Sequence, residues 1–269
     1  MPCVAEHTAF AGTTIDAGEN MARFHREKTL LLEKLLADNW QECANVASAD
    51  EAVAIISPLQ SLLPRSEYKW RAAWCIGRAC AVLAGEKMEA ARNIMRRFLW
   101  SLNEESGGVG WGVPEAFGCA VAQSPALNRE FARILISFAY SSGKSDNYID
   151  HAPLRLGVFW AIGHVASSIP GPWVAALPAL VQGLDDPNPA CRGMAVWACA
   201  TTAEQFKPGQ GPLALDLFPQ WQAVAKGLAP LHGNPVAVEV FENLEVMHPV
   251  TGELAQRASC AVQRIIAGK

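Results

Sequence analysis

Hydrophobic residues recur along this chain with the spacing of amphipathic helices. Four segments carry apolar side chains three or four positions apart, as Ile94, Phe98 and Leu102 illustrate. This spacing collects the apolar side chains on one face of a helix. The segments predicted to be helices with one buried stripe are 50–63, 88–102, 125–140 and 173–184. The breaks between the helical segments are rich in Gly, Pro, Ser and Asp, which is typical of turns.

A second kind of helix follows each of these segments and repeats itself. Four stretches align without gaps on a small anchor residue late in the helix, and successive anchors lie about 40 residues apart, the length of a two-helix repeat. Recurring Ala and Gly residues would let these second helices approach one another closely. We therefore predict an all-α chain. The aligned stretches are 69–77, 110–118, 155–163 and 192–200, with the anchors Gly77, Gly118, Gly163 and Ala200.

Residues 176–198 form the clearest unit, with a helix, an Asp-Pro turn, a basic residue and a second helix rich in small side chains. This unit resembles the HEAT and PBS-lyase-like HEAT repeat families, and the resemblance covers about residues 50–205. It implies one domain over 1–269, an α-solenoid of about five to six stacked helix pairs. The flanking segments 21–49 and 213–268 fit as degenerate or capping helices.

The resemblance also implies a structural role for two arginines. Arg155 and Arg192 each stand eight positions before their anchor, where the HEAT pattern has its basic residue. We expect both guanidinium groups to bond neighbouring carbonyls or carboxylates.

Five of the nine tryptophans fall at equivalent positions of the second helices. Numbered from each anchor, positions −7, −3 and +1 are four apart and share one helix face. We call this surface the Trp face; its residues are Trp70, Trp74, Arg78, Trp111, Glu115, Cys119, Leu156, Trp160, His164, Gly193, Trp197 and Thr201.

Two interpretations of the Trp face stay open. In HEAT-type solenoids the second helices line the concave surface, which implies a groove with tryptophan anchors and with Arg78, Glu115 and His164 as its polar groups. Alternatively, the rings fill the space between adjacent helices, as in an ordinary repeat core. Near-zero exposure of Trp74, Trp160 and Trp197 would remove the groove.

A glycine-rich loop interrupts one repeat between residues 104 and 112. Four glycines in six residues would let its backbone approach other groups closely, and Glu104, Glu105 and Trp111 stand in or beside it. We interpret it as a recognition loop or a cap of the groove; a plain structural turn is the alternative. It lacks the pattern and the lysine of a phosphate-binding loop, and its carboxylates have no tight metal-ligand spacing.

No catalytic residue is predicted. HEAT-like deoxyhypusine hydroxylases carry His-Glu pairs that bind two irons, and this chain contains no His-Glu pair, so that chemistry is excluded. The six histidines are scattered and no GxSxG motif is present. The resemblance also extends to phycobilin lyases, which implies tetrapyrrole handling, but no catalytic residue of that group maps onto a match. We expect no cofactor and no metal.

Composition narrows the classes of partner and compartment. The chain is 51% apolar and 18% charged, with a net charge of −4 and no basic run, which disfavours nucleic acid. The apolar stretch 158–184 is broken by Pro170-Gly171-Pro172, so we predict two buried helices and no membrane partner. The eight cysteines form no CxxC pair, and no signal-peptide pattern is present; both favour a cytoplasmic location.

These observations favour one function over another. The leading hypothesis is a non-catalytic binding or scaffold protein that holds a protein or peptide partner on the Trp face and the glycine-rich loop. The alternative is that the same groove handles a small molecule or a tetrapyrrole-type cofactor.

Overall fold

Helices dominate the part of the chain that the structure, a computed structural model, describes: residues 17–103, 109–143, 147–169, 172–206 and 217–268. The predicted predominance of helix is confirmed. These ranges also contain short 3-10 helices at Trp40–Ala44, Pro172–Ala176 and Ala229–Leu231, and one antiparallel hairpin of β1 (Val240–Glu242) and β2 (Glu245–Met247). The α-helices are α1 (Ala17–Leu36), α2 (Ala49–Gln60), α3 (Lys69–Glu86), α4 (Met88–Leu102), α5 (Val113–Gln123), α6 (Pro125–Ser137), α7 (Ala152–Ser168), α8 (Leu177–Gly183), α9 (Pro189–Gln205), α10 (Phe218–Leu228) and α11 (Thr251–Ile266).

Local chemistry explains where several helices begin. The Ser48 side chain accepts a hydrogen bond from the Glu51 N–H at the start of α2, and Ser124 does the same for Leu127 at the start of α6. Asn188 caps α9 by accepting from two backbone N–H groups. Each of these side chains satisfies donors that the first turn of a helix leaves unpaired.

The second helices of the predicted repeats lie next to one another. Helix α3 packs on α5, α5 on α7, α7 on α9, and α9 on α11. The helices that precede them in the chain pack beside this row, α2 on α3, α4 on α3 and α5, α6 on α5 and α7, and α8 on α9. The Trp-face residues of α3, α5, α7 and α9 are therefore brought onto neighbouring helices.

The anchor glycines mark the contacts between successive helices of this row. A Cβ atom on Gly77 would lie 2.7 Å from the backbone carbon of Cys119, and one on Gly163 would lie 2.9 Å from the Cα of Ala198. Gly118 faces Ala161 just as closely. Of the two roles that glycine can take here, close helix contact and helix termination, the first is the one observed.

Both repeat arginines bond the same turn. Arg155 donates to both carboxylate oxygens of Asp186, at 2.6 and 2.9 Å, and to two backbone carbonyl oxygens. Arg192 donates to the backbone oxygen of Asp186 at 2.6 Å. The expected structural role is confirmed: a buried, bidentate ion pair ties α7 to the Asp-Pro turn before α9.

The C-terminal segment departs from the prediction of capping helices over 213–268. Helices α10 and α11 are present, but β1 and β2 lie between them, and Ala237 pairs with Val250 in a further bridge. We call residues 237–250 the covering hairpin. The turn residues Asn243 and Leu244 have positive φ, as the tight two-residue turn of a hairpin requires. Residues 207–216 lie outside the described ranges.

The described residues of the apolar stretch 158–184 lie mainly in α7, a 3-10 helix and α8, in agreement with the two predicted buried helices. Among the described residues, no helix is long and apolar enough to span a membrane.

Substitution of an anchor glycine should destabilise the helix row. We expect Gly118→Ala to lower the free energy of unfolding by about 1–3 kcal/mol, because the added methyl group overlaps Ala161 across the α5–α7 contact. The control is Gly85→Ala, also a helical glycine, whose Cβ would meet open space; it should be neutral or stabilising by up to about 1 kcal/mol. Urea unfolding measures both, and equal effects would contradict the close-contact role.

Candidate binding site on the Trp face

The covering hairpin lies across the centre of the Trp face and supplies acceptors to three indole N–H groups. Trp70 Nε1 donates to Glu239 Oε1 at 2.7 Å. Trp160 Nε1 donates to the backbone oxygen of Phe241 at 3.0 Å, and Trp197 Nε1 to Glu242 Oε2 at 3.3 Å. These bonds satisfy indole groups that burial would otherwise leave unpaired.

Phe241 is the aromatic anchor of the covering hairpin. Its ring is buried and stacks on Trp70 with an interplanar angle of 8° and a centroid distance of 5.7 Å. It also contacts the rings of Trp160 and Trp40 at 6.5 and 6.3 Å. Aromatic pairs at these distances contribute favourable quadrupole contacts in addition to apolar burial.

The prediction of an open groove is therefore wrong at its centre. Trp160 has no exposed surface, and Trp70 and Trp197 are also buried. Trp74 remains half-buried against Trp40, with ring centroids 5.2 Å apart. The physical reason is that the chain's own C-terminal residues occupy the face on which a partner segment was expected.

Two cavities remain, one on each side of the covered centre, and residues of α7 line both of them. Leu156, Trp160 and His164 stand one helical turn apart. Leu156 lines the first cavity, Trp160 is covered by Phe241, and His164 lines the second. The covering hairpin thus divides the Trp face into two candidate sites.

The first cavity, which we call the Trp111 cavity, lies at the N-terminal ends of α5, α7 and α9. Its volume is about 340 Å³, and Trp111 at its edge is 43% exposed. The ring meets His151 edge-on at 5.2 Å. Apolar side chains form most of its wall, and its lining includes Leu63, Pro64, Lys69, Trp111, Glu115, Pro153, Leu154, Leu156 and Asn188.

An ion pair with a buried carboxylate lines the Trp111 cavity. Glu115 is only 4% exposed, and Lys69 Nζ lies 3.7 Å from its Oε1. Burial raises the pKa of the Glu115 carboxyl, and the Lys69 charge opposes that rise. The carboxylate fits because Gly157 opposite has no side chain: a Cβ there would lie 2.7 Å from Glu115 Oε2.

Lys69 also connects this cavity to the covering hairpin. Its ammonium group lies 3.2 Å from Glu239 Oε1 and 3.9 Å above the Trp70 ring. One lysine therefore serves a carboxylate of α5 and a carboxylate of the hairpin, and its charge is further stabilised by the indole face.

The second cavity, which we call the His164 cavity, lies towards the C-terminal halves of α7 and α9, with Trp74 of α3 in its wall. Its volume is about 350 Å³. The turn of the covering hairpin forms one side. Its lining includes Trp74, His164, Ser167, Ser168, Trp197, Thr201, Glu204, Phe241, Glu242 and Asn243.

His164 has an unusual environment for a histidine. Its ring stacks on Trp160 at 4.7 Å and an angle of 11°, and its buried Nε2 atom has no hydrogen-bond partner among the described residues. Burial lowers the pKa of His164 to about 4. The ring is therefore uncharged near neutral pH.

The remaining predicted site residues do not join these cavities. Arg78 is exposed and is not among the residues that line either one. Glu104 and Glu105 lie outside the described residues, as does much of the glycine-rich loop. Within the described ranges, no group of three or more His, Cys, Asp or Glu residues is placed to hold a metal ion.

Lys69 and the covering hairpin are not among the features predicted from the sequence. Lys69 stands eight positions before Gly77, as Arg155 and Arg192 do before their anchors, so the repeat spacing carries a signal for this basic residue. The hairpin carries a detectable signal, since valines alternate with other residues at Val236, Val238 and Val240 before the Asn243 turn, which is typical of a strand. No local sequence pattern predicts that this hairpin packs on the Trp face.

Comparison with known proteins adds no family. No protein-family model matches the chain, and no curated protein matches it.

Removal of the hairpin anchor should destabilise the fold and expose the tryptophans. We expect Phe241→Ala to lower the free energy of unfolding by about 3–5 kcal/mol, through lost burial and the cavity left behind. Tryptophan fluorescence should shift to the red as water reaches Trp70 and Trp160. Val246→Ala, at the exposed partner position of the same hairpin, should cost less than about 1 kcal/mol. An unshifted spectrum for Phe241→Ala would show that the hairpin does not cover the rings.

His164 should make stability depend on pH in a defined window. The unfolded chain binds a proton at this histidine below about pH 6.5, whereas the folded chain resists protonation down to about pH 4. Stability is therefore lost as pH falls through this window, by about 3 kcal/mol in total. In His164→Phe this loss should disappear. Urea unfolding of both proteins between pH 4 and pH 7 measures the difference, and parallel curves would contradict the buried, uncharged imidazole.

Proposed function

We propose that this chain is a non-catalytic binding protein that holds a segment of a protein partner at the Trp111 cavity. The observation that carries the proposal is the exposure of Trp111. Its ring is 43% exposed beside apolar walls, whereas Trp70, Trp160 and Trp197 on the same face are buried. An exposed indole beside an apolar pocket is the arrangement in which tryptophan anchors protein interfaces.

The proposal includes a solenoid of HEAT-like helix pairs as the scaffold. Its support is the row of second helices α3, α5, α7, α9 and α11, with the preceding helices packed beside that row. In stacked repeats each pair buries the apolar stripe of the next, and the second helices present one extended face. An extended face suits a partner that is itself an extended segment.

The covering hairpin supports a peptide as the kind of partner. The Trp face already accommodates polypeptide through indole donors, one of which bonds a backbone carbonyl. The adjoining Trp111 cavity offers related groups: an exposed indole, apolar walls and the Lys69–Glu115 ion pair. A side chain that enters it would replace water against the walls and could bond these polar groups.

We also infer a cytoplasmic location and a partner other than nucleic acid. Six of the seven free cysteines in the described ranges are buried, and only Cys260 is exposed, which suits a compartment where thiols stay reduced. The mild net charge of −4 supports a protein partner over a polyanion.

Two exposed tryptophans allow a matched test of this proposal. Protein purified from its own host would be examined by native mass spectrometry, and the affinity for the retained partner measured. We expect Trp111→Ala to weaken that affinity by about 2 kcal/mol or more, because the anchor of the cavity is lost. Trp100→Ala removes a ring that is 71% exposed on α4, outside both cavities, and should leave the affinity unchanged.

Two results would contradict the docking role. One is equal affinity of the wild-type protein and Trp111→Ala for the retained partner. The other is retention of a small mass at the Trp111 cavity in place of a protein.

A further inference from the structure

The His164 cavity offers hydrogen-bond acceptors in excess of donors. The hydroxyl groups of Ser167 and Ser168 both donate to the backbone oxygen of His164, at 2.8 Å. Thr201 donates to the backbone oxygen of Ala198 at 3.1 Å. With their protons donated to the helix backbone, the three oxygens keep lone pairs that can accept hydrogen bonds from a ligand.

His164 adds an uncharged hydrogen-bond acceptor, which does not repel a cation. Its Nε2 atom is buried and has no partner among the described residues. The imidazole is uncharged near neutral pH, since burial lowers its pKa to about 4. In the tautomer with the proton on Nδ1, the Nε2 lone pair can receive a hydrogen bond.

The cavity also carries negative charge. Glu204 and Glu242 line it, and both accept hydrogen bonds from Arg257, at 2.7 and 2.8 Å for Glu204 and at 3.0 and 3.2 Å for Glu242. One guanidinium shared by two carboxylates leaves one negative charge. Trp197 Nε1 is already committed to Glu242, which removes another donor from the wall.

Aromatic rings form the remaining walls. Trp74, Trp197 and Phe241 line the cavity together with the stacked His164 ring. Indole and phenyl faces attract cations through the ring quadrupole, and tryptophan does so best. The amide groups of Gln205 and Asn243, which carry both donors and acceptors, do not reverse the balance.

We propose that the His164 cavity binds a small organic amine, a protonated amino group on a short apolar skeleton. The ammonium donates to the His164 imidazole, to the hydroxyl oxygens and to the carboxylate edge, and the skeleton packs on the half-buried Trp74 ring. Acceptor excess, residual negative charge and aromatic walls all select the same chemistry. This site is separate from the Trp111 cavity, so its test is independent of the test of the proposed docking function.

A pair of matched probes tests the proposal on the full chain. Binding of 2-phenylethylamine and of its neutral isostere 2-phenylethanol would be followed by titration in ¹H–¹⁵N spectra of the nine tryptophan indoles. We expect the amine to bind at least about tenfold more tightly than the alcohol. The indole signals of Trp74 and Trp197 should move, and those of Trp100 and Trp111 should stay.

Two variants locate the site. His164→Phe keeps an aromatic ring against Trp160 but removes the acceptor, and it should weaken amine binding by about tenfold. Trp111→Ala alters the other cavity and should leave amine binding unchanged. If His164→Phe does not fold, the wild-type indole shifts still identify the cavity.

Several results would overturn the amine site. They are no binding of the amine at millimolar concentration, equal binding of amine and alcohol, and indole shifts confined to Trp111. Binding of a lysine-containing peptide without binding of the free amine would also overturn it, because the ammonium would then belong to a macromolecular partner.

Discussion

The hydrogen bonds from three indole N–H groups to the covering hairpin determine the form of the candidate binding surface. A row of tryptophans on adjacent helices brings large apolar rings together, but each ring also carries a donor that burial must satisfy. Glu239, the Phe241 carbonyl and Glu242 supply those acceptors within four residues of one segment. Burial of Phe241 among the same rings then holds the segment in place.

This docking converts one face into two sites of different chemistry. On one side of the covered centre, Trp111 is partly exposed beside apolar walls and the Lys69–Glu115 ion pair. On the other side, His164 and three hydroxyl groups that donate to the helix backbone line a cavity together with aromatic rings and two carboxylates. The separation is only one helical turn along α7 in each direction from Trp160. A short segment of covering backbone is therefore enough to make the two surfaces independent.

Helix spacing is the second requirement, and glycine sets it. Gly163 leaves room for the Trp197 ring, which a Cβ there would approach to 2.5 Å. The close approach lets the Trp160 and Trp197 rings lie parallel at 6.4 Å. Gly157 makes comparable room for the buried Glu115 carboxylate. Small residues on the second helices thus serve the site as well as the packing between helices.

Local periodicity and repeat spacing predicted most of the helices, the anchor glycines and the residues that share the Trp face, and the resemblance to HEAT repeats implied the structural role of Arg155 and Arg192. The sequence also singled out Trp111, Glu115 and His164. The burial of Trp70, Trp160 and Trp197 could not be predicted in this way, since the covering hairpin that buries them is distant from them in the chain. Contacts such as that of Trp70 with Glu239 depend on chain topology, and helical periodicity carries no information about which remote segment will satisfy a buried donor.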